Sequence, residues 1–188
     1  MLGNLSDFNV EQDSVPLDEL PEMDAYILDE YHRLVKRVTK AYADYEFHTM
    51  YHRVHNFCVV ALGGFYLDVI KDRLYCDGVD SFSRRSAQTV ISLILPGLAK
   101  LVAPVLVHTA EEIWNHLPRA LKDSDSIHFT TWPEVSRQEY PGNLREKWGQ
   151  GLEIRGAVAR ALEDARAGKQ IGSSNDAAVT LYPRGDVR

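Results

Sequence analysis

Cysteine is scarce in this chain, and its spacing excludes the sites that cysteine usually builds. The 188 residues include only Cys58 and Cys76, which do not form a CxxC pair. Neither a disulfide framework nor a cysteine-rich zinc site is therefore expected. Both thiols are predicted to be reduced and structural, with Cys58 on the apolar face of a helix.

Long hydrophobic runs and targeting segments are also missing. No stretch approaches the ~18 apolar residues that a membrane span needs, and no basic, apolar signal segment opens the chain. A hydrophobic share of 45% with 26% charged residues is typical of a soluble globular protein. The expectation is a cytoplasmic protein with no membrane partner.

Signatures of catalysis are absent as well. The chain has no GxxxxGK[ST] or GxGxxG phosphate loop, no HExxH metal motif and no nucleophile elbow. Glu111 and Glu112 are adjacent, but neighbours on a helix point about 100° apart and cannot share one proton. No catalytic residue is therefore predicted in this chain.

Positive charge is missing from the first 30 residues, which hold nine acidic residues and no Lys or Arg. Since the total formal charge is −6, residues 31–188 carry a net charge of +3. Salt screens charges beyond ~8–10 Å, so a local basic face can bind phosphate even on an acidic protein. The overall charge thus does not exclude a nucleic-acid ligand.

Sustained helical periodicity is what the sequence does contain. Apolar residues recur at spacings of four and three over several long stretches, which predicts an all-α helical bundle. Helices are expected from Pro21, over most of 45–75, from Ser83 or Arg84, and over 104–117. The predicted inward faces are Ile27, Tyr31, Leu34, Val38, Ala41 and Tyr45; Phe47, Tyr51, Val54, Cys58, Ala61 and Phe65; Ala87, Val90, Ile91, Ile94, Leu98 and Leu101; and Leu106, Ala110, Ile113 and Leu117.

Two pairs of residues are expected to disturb these helices. Gly63 and Gly64 lie inside the second one, where such a pair marks close approach by a neighbouring helix or a local kink. Pro96 and Gly97 lie inside the third, where a kink or a brief 3₁₀ stretch is predicted.

The chain is expected to divide near residue 140. Residues 1–140 are predicted to form the bundle, and 141–188 a second region with a helix from Asn143 or Leu144 to about Ala167, which Gly168 can cap. Residues 177–182 have strand composition. One strand has no partner within the chain, so this appendage is interpreted as truncated.

The cations best placed for RNA flank the turn between the second and third helices. They are accompanied by Tyr75 and Phe82, whose rings can stack on bases. Basic residues at helix ends are also common as solvated groups or as partners of the helix dipole, so the pattern alone leaves RNA contact open. The four cations are Lys71, Arg73, Arg84 and Arg85.

Two alternatives remain beside RNA binding. His48, His52 and His55 share one helix face and could ligate a metal, but the carboxylates of a di-metal bundle are poorly placed, so surface histidines are the favoured interpretation. The other alternative is a helical module that contacts protein through its apolar faces and acidic N-terminal loop, without RNA.

The order of residues resembles isoleucyl-tRNA synthetases, in the region that follows the catalytic core. The likeness runs from Leu2 to about Tyr182, and valyl and leucyl enzymes share the architecture but not this run. The strings that carry it are LPEMDAYIL, KAYADYEFHTMYHRVHNFCV, FYLDVIKDRLY, RRSAQTV, LVAPVLVHTAEEIW and ALEDARAGKQIGSS.

This resemblance implies an α-helical anticodon-binding domain that holds the anticodon stem-loop of tRNA(Ile), followed by the start of a C-terminal junction region. ATP and Mg²⁺ are implied only for the intact enzyme, whose catalytic domain attaches isoleucine to the tRNA. The family's His-Ile-Gly-His and Lys-Met-Ser-Lys-Ser signatures, editing domain and terminal zinc cysteines are absent. The chain alone is therefore expected to be non-catalytic and free of cofactor, with the remainder of a synthetase as a partner.

The resemblance also implies which residues contact RNA. It places Lys71 close to the anticodon, with Arg73, Arg84 and Arg85 as its neighbours. It adds Asn4, Asn56 and Tyr75 as further contacts.

Overall fold

The computed structural model describes residues 1–135 and 140–182. The chain separates into two compact units, Met1–Tyr140 and Pro141–Arg188, here called the bundle unit and the tail unit. In the described residues the bundle unit is helical, and α-helices, 3₁₀ turns and one π-helical stretch follow each other along the chain. None of the described helices is long and apolar enough to cross a membrane.

Helix α1 spans Glu22–Ala43 and follows Pro21, which suits the start of a helix. Its apolar stripe is buried as predicted, except at its last position. Tyr45 is 81% exposed and has a φ of 58°, because the helix has already ended at Ala43. The buried members of the stripe are Ile27, Tyr31, Leu34, Val38 and Ala41.

The second predicted helix is not one continuous α-helix. Helix α2 spans Phe47–Asn56, a π-helical segment spans Phe57–Tyr66, a single turn spans Leu67–Val69, and the short helix α3 spans Lys71–Tyr75. The predicted inward face is wrong over most of its length. In α2 the buried residue is Met50, and from Phe57 the π-helical segment changes the spacing of the buried residues. Phe47, Tyr51 and Cys58 are exposed, whereas Phe65 is buried as predicted and is joined by Met50, Phe57, Leu62 and Tyr66.

Gly63 and Gly64 are explained by the π-helical segment itself. Both are exposed, so no neighbouring helix approaches them. A Cβ added at Gly63 would lie 3.2 Å from the carbonyl oxygen of Cys58, and one at Gly64 would lie 3.2 Å from that of Val59. These carbonyls lie five residues back along the chain, which is the hydrogen-bonding distance of a π-helix. The prediction of close approach by another helix was wrong, and the local distortion is what the structure shows.

Helix α4, Phe82–Val102, lies at the centre of the bundle unit and contacts α1, α3 and the N-terminal turn. Ser81 caps it by accepting from the backbone N–H of Arg84 at 3.2 Å. The helix continues through Pro96 and Gly97, so the brief 3₁₀ stretch is wrong, whereas the kink stays a prediction. Its inward face is confirmed, with Ala87, Val90, Ile91, Ile94, Leu98 and Leu101 all buried.

Helix α5 spans Val107–His116, so it begins three residues later than predicted and leaves Leu106 half exposed. Trp114 is fully buried, and its indole N–H donates to the carbonyl of Ser124 at 3.0 Å. Glu111 accepts from the hydroxyl of Ser126 at 2.9 Å and from the N–H of Ile127 at 3.1 Å. The Glu111 carboxylate therefore holds the 3₁₀ turn Ile127–Phe129 in place.

The tail unit contains helix α6, Leu144–Ala167, which matches the predicted bounds. Gly168 caps it by donating its N–H to the carbonyl of Asp164 at 2.9 Å. The strand predicted at 177–182 is wrong, since those residues are in neither strand nor helix. A segment of strand composition forms no ladder when no second strand pairs with it; across the described ranges the fold is all-α.

Candidate nucleic-acid interface

The predicted RNA-binding residues, except Asn56, lie at one corner of the bundle unit, around α3 and the start of α4. We call the segment 71–85 with the N-terminal turn Leu2–Leu5 the basic corner. Lys71 lies on its surface, 62% exposed, with its Nζ 2.7 Å from Oδ1 of Asp68. The hydrogen bond and the charge of Asp68 raise the pKa of the Lys71 amine. Lys71 is therefore a charged group that solvent and ligands can reach.

Aromatic rings lie beside this cation. Tyr75 is 72% exposed and Phe82 is 52% exposed. The Tyr75 hydroxyl donates to Oδ1 of Asn4 at 3.4 Å, which brings together two predicted contacts that are 71 residues apart. Exposed rings next to a cation are the combination that unstacked nucleotides use.

Arg73 is not a free cation at this corner. Its guanidinium donates to both oxygens of Asp24, at 3.0 and 2.6 Å, and to the carbonyl of Ser83 at 2.6 and 3.1 Å. Burial lowers the pKa of the guanidinium, but the hydrogen bonds and charge of Asp24 raise it by more. Arg73 thus joins α1, α3 and the start of α4, a structural role that the sequence did not indicate.

The carboxylate of Asp24 is the centre of this arrangement. It is completely buried, and it also accepts from the hydroxyl of Tyr66 at 2.8 Å and from that of Ser86 at 2.6 Å. Burial, together with the charge of Asp24, raises the pKa of the Tyr66 phenol well above its usual value. We call Asp24 and its three donors the Asp24 hub.

Arg84 and Arg85 face the N-terminal segment. Arg84 donates to Oδ2 of Asp7 at 2.8 Å and to the carbonyl of Leu74. Arg85 is buried and donates to the carbonyl of Asp7 at 2.9 Å and to Oε1 of Gln88 at 2.9 Å. Gln88 in turn donates to Oδ1 of Asp7 at 2.8 Å. These bonds attach the N-terminal segment to the start of α4 at the basic corner.

Acid should weaken this attachment. Burial raises the pKa of Asp7, but hydrogen bonds from Arg84 and Gln88 lower it by more, so it lies below the ordinary value of 3.8. A depressed folded-state pKa stabilises the fold above the unfolded value, and the contribution disappears as pH falls through the folded value. We expect the thermal midpoint of the native chain to exceed that of an Asp7→Asn variant at neutral pH, and the difference to shrink below about pH 4.

A control for this pH dependence is Asp125→Asn, because Asp125 is 95% exposed and pairs with Arg119 at the surface. Such a pair contributes little at any pH. A difference between the native chain and Asp7→Asn that does not change between neutral and acid pH would contradict the assignment.

Asn56 lies elsewhere. It lines a groove of about 160 Å³ between α1 and the α2–π segment, together with Arg37 and Arg53. Neither arginine was among the predicted contacts. The sequence did contain an indication, because Arg53 lies near Asn56 and Arg37 lies on the basic side of α1. That the two arginines line one groove depends on how α1 and α2 pack against each other.

The three histidines of α2, His48, His52 and His55, are exposed. In the described ranges, no group of three His, Cys, Asp or Glu side chains is placed to hold a metal ion. His55 instead lies against the ring of Tyr51, with 5.6 Å between the ring centres.

Comparison with known proteins shows the family of this chain. The sequence model of the anticodon-binding domain of tRNA ligase matches residues 24–181. The chain is 47% identical to an isoleucine–tRNA ligase of Natranaerobius thermophilus over 187 residues, 46% to that of Moorella thermoacetica and 43% to that of Geobacillus thermodenitrificans. All of the chain is covered in each comparison, and it spans about a fifth of the length of these relatives. The chain therefore belongs to the anticodon-binding domain family of tRNA ligases, and within that family it is similar to the isoleucine–tRNA ligases.

Proposed function

We propose that this chain is the part of an isoleucine–tRNA ligase that holds the anticodon stem-loop of tRNA(Ile). Attachment of isoleucine, with ATP and Mg²⁺, takes place in other domains of the same cytoplasmic enzyme. The family match over residues 24–181 and the likeness to isoleucine–tRNA ligases along the whole chain support this proposal.

The basic corner is the observation that carries the proposal. An exposed amine at Lys71 and an exposed ring at Tyr75 lie on one short helix, Lys71–Tyr75. The Asp24 hub fixes that helix to the bundle. A rigid platform of this kind binds RNA without the entropic cost of ordering its side chains first, and bases of a single-stranded loop can stack on its ring.

The cations of the basic corner have two different roles. Arg73, Arg84 and Arg85 are paired with carboxylates and carbonyls of the chain, so they hold the corner in shape. Among the residues that the structure describes, Lys71 forms its ion pair with Asp68 alone, and a surface ion pair of this kind costs little to exchange for a phosphate. We assign the leading electrostatic contact to Lys71. RNA contact by the three arginines, by Asn4 and by Asn56 stays a prediction.

Charge reversal at Lys71 tests the proposal. In Lys71→Glu we expect the affinity for tRNA(Ile) to fall on the order of tenfold or more at ~0.1 M salt, because a phosphate contact is lost and replaced by repulsion. Fluorescence titration with tRNA(Ile) and with a mismatched tRNA, at two salt concentrations, measures the change. The native chain should bind tRNA(Ile) more tightly, and both affinities should fall steeply with salt.

The matched control is Arg119→Glu, since Arg119 is also exposed and paired with a single surface carboxylate in the bundle unit. It should leave the affinity within about twofold of the native value. Equal and salt-insensitive binding of both tRNAs by the native chain would refute the proposal and favour the alternative, a helical module that binds protein. The exposed valines of the π-helical segment, Val59 and Val60, are the surface that such a partner would use.

A further inference from the structure

The groove between α1 and the α2–π segment has a composition that differs from the rest of the bundle surface. Its floor is apolar, with Leu34 and Phe57 buried at 5% and 7% exposure. Its rim carries the guanidinium groups of Arg37 and Arg53, both exposed, and the amide of Asn56. Its volume is about 160 Å³, below the ~300–1,000 Å³ of clefts that enclose a small molecule, so it is an open groove on the surface.

The two arginines of the groove, like Lys36 beside them on α1, have no ion pair within residues 1–135 and 140–182. On α1 itself, by contrast, Arg33 is paired with Asp29 at 2.8 Å and Lys40 with Asp44 at 2.5 Å. Two arginines without an acidic partner in a concave surface form an attractive field for an anion.

Glu30 also lines the groove, so the site is not purely cationic. Two guanidinium groups and one carboxylate leave a net charge of +1. This balance does not favour a multiply charged free anion. It suits a phosphodiester, which carries one negative charge per phosphate, and a ribose hydroxyl beside it can donate to a carboxylate or to the Asn56 oxygen.

The position of the groove fits a long ligand. Asp24, which binds Arg73 of the basic corner, and Arg37 are both on α1 and thirteen residues apart. At 1.5 Å per residue this separation is about 20 Å along the helix. One phosphate cannot contact both places, whereas a folded RNA that reaches the corner with its loop can lay its backbone along the same helix.

We infer that the groove lined by Arg37, Arg53 and Asn56 is a second RNA-binding surface, which holds the sugar–phosphate backbone at about 20 Å from the basic corner. This inference rests on the proposed function, because it takes RNA to be the ligand. Since phosphate contacts position an RNA without reading its sequence, the groove contributes affinity and orientation.

The test compares an Arg37→Ala and Arg53→Ala double variant with Lys71→Glu and with the control Arg119→Ala. We expect the double variant to bind both tRNA(Ile) and a mismatched tRNA more weakly, on the order of tenfold per arginine at ~0.1 M salt. The slope of log affinity against log salt should become shallower by about 0.7–0.9 for each arginine. Lys71→Glu should weaken binding through the separate contact at the basic corner, and Arg119→Ala should change neither the affinity nor the slope.

The outcomes separate the two proposals. If Lys71→Glu weakens binding while the double variant keeps the native affinity and slope, the groove inference is overturned and the proposed function stands. If the double variant alone weakens both tRNAs with a shallower slope, the groove inference stands and the role of the corner fails. If no variant differs from the native chain, both fail.

A second measurement covers the case in which the double variant unfolds. Arginine-selective modification with phenylglyoxal, read by mass spectrometry, should label Arg37 and Arg53 in the free native chain, because both are exposed. Added tRNA should reduce this labelling at least several-fold and leave Arg119, which is 76% exposed, unchanged. Unchanged labelling of Arg37 and Arg53 at saturating tRNA would overturn the inference.

Discussion

Replacement of Asp24 by asparagine should lower the free energy of unfolding of the bundle unit by about 3–5 kcal/mol, because it leaves the guanidinium of Arg73 buried without its counter-charge. The native carboxylate is completely buried and accepts four hydrogen bonds from Arg73, Tyr66 and Ser86. An amide can accept at only one of its two positions, so at least one buried donor loses its partner.

Chemical denaturation followed by circular dichroism measures this loss. The matched control is Asp29→Asn on the same helix, since Asp29 pairs with Arg33 through a single bond near the surface. That variant should lie within about 1 kcal/mol of the native chain. If Asp24→Asn is no less stable than Asp29→Asn, the hub does not hold the corner as described.

Gly97→Ala should destabilise the bundle unit by about 1–3 kcal/mol. A Cβ at this position would lie 1.6 Å from the hydroxyl oxygen of Tyr31 and 2.7 Å from Cζ of the same ring. Tyr31 is itself buried on α1, so the ring has little room to move away. Elsewhere in a helix the same substitution stabilises by roughly 0.5–1 kcal/mol, because alanine loses less backbone entropy than glycine on folding. Gly97→Ala is therefore expected to lower the stability of the bundle unit, although the intrinsic helix propensity of alanine would raise it.

A Tyr31→Phe background distinguishes this contact from a general intolerance at position 97. Phenylalanine removes the nearest atom but keeps the ring carbon at 2.7 Å, so Gly97→Ala should cost less there than in the native chain without becoming neutral. Thermal or denaturant unfolding of the four proteins in this cycle gives the coupling energy. The same cost in both backgrounds, or a gain in stability, would show that Tyr31 does not determine the need for glycine.

The regular helices could be predicted well from the sequence. The buried stripes of α1 and α4 follow the 3.6-residue repeat for about twenty residues each, and burial of one face is sufficient to select that repeat. The tail helix was predicted within one residue at each end, since Gly168 follows its last residue. Local patterns were enough in these three cases, because no other interaction opposes them.

The π-helical segment could not be predicted in this way. Its buried residues Phe57 and Leu62 are five apart, a spacing that a search for threes and fours does not register. The glycine pair was the available signal, but it was interpreted as close approach by a neighbouring helix or as a local kink, and not as a π-helix. At Gly97 the difficulty was similar, because the residue that requires glycine is Tyr31 on another helix.

The candidate site, too, could be predicted only in part. The sequence located the cations of the basic corner, and the structure brings Lys71, Tyr75 and Asn4 to one place. Their acidic partners could not be read from spacing, since Arg73 bonds a residue 49 positions away and Arg84 one 77 positions away. The excess of acid in the first thirty residues was the only indication that the cations had partners there. Contact with RNA stays a prediction for every one of these residues.

The Asp24 hub has a consequence for how the chain folds. Its last donor, Ser86, lies 62 residues after the carboxylate. Three of the four hydrogen bonds to Asp24 come from Tyr66 and Arg73, and the fourth comes from Ser86 in the first turns of α4. The set of donors is therefore complete only when α4 packs against α1, so burial of the Asp24 carboxylate depends on contacts that are distant in sequence.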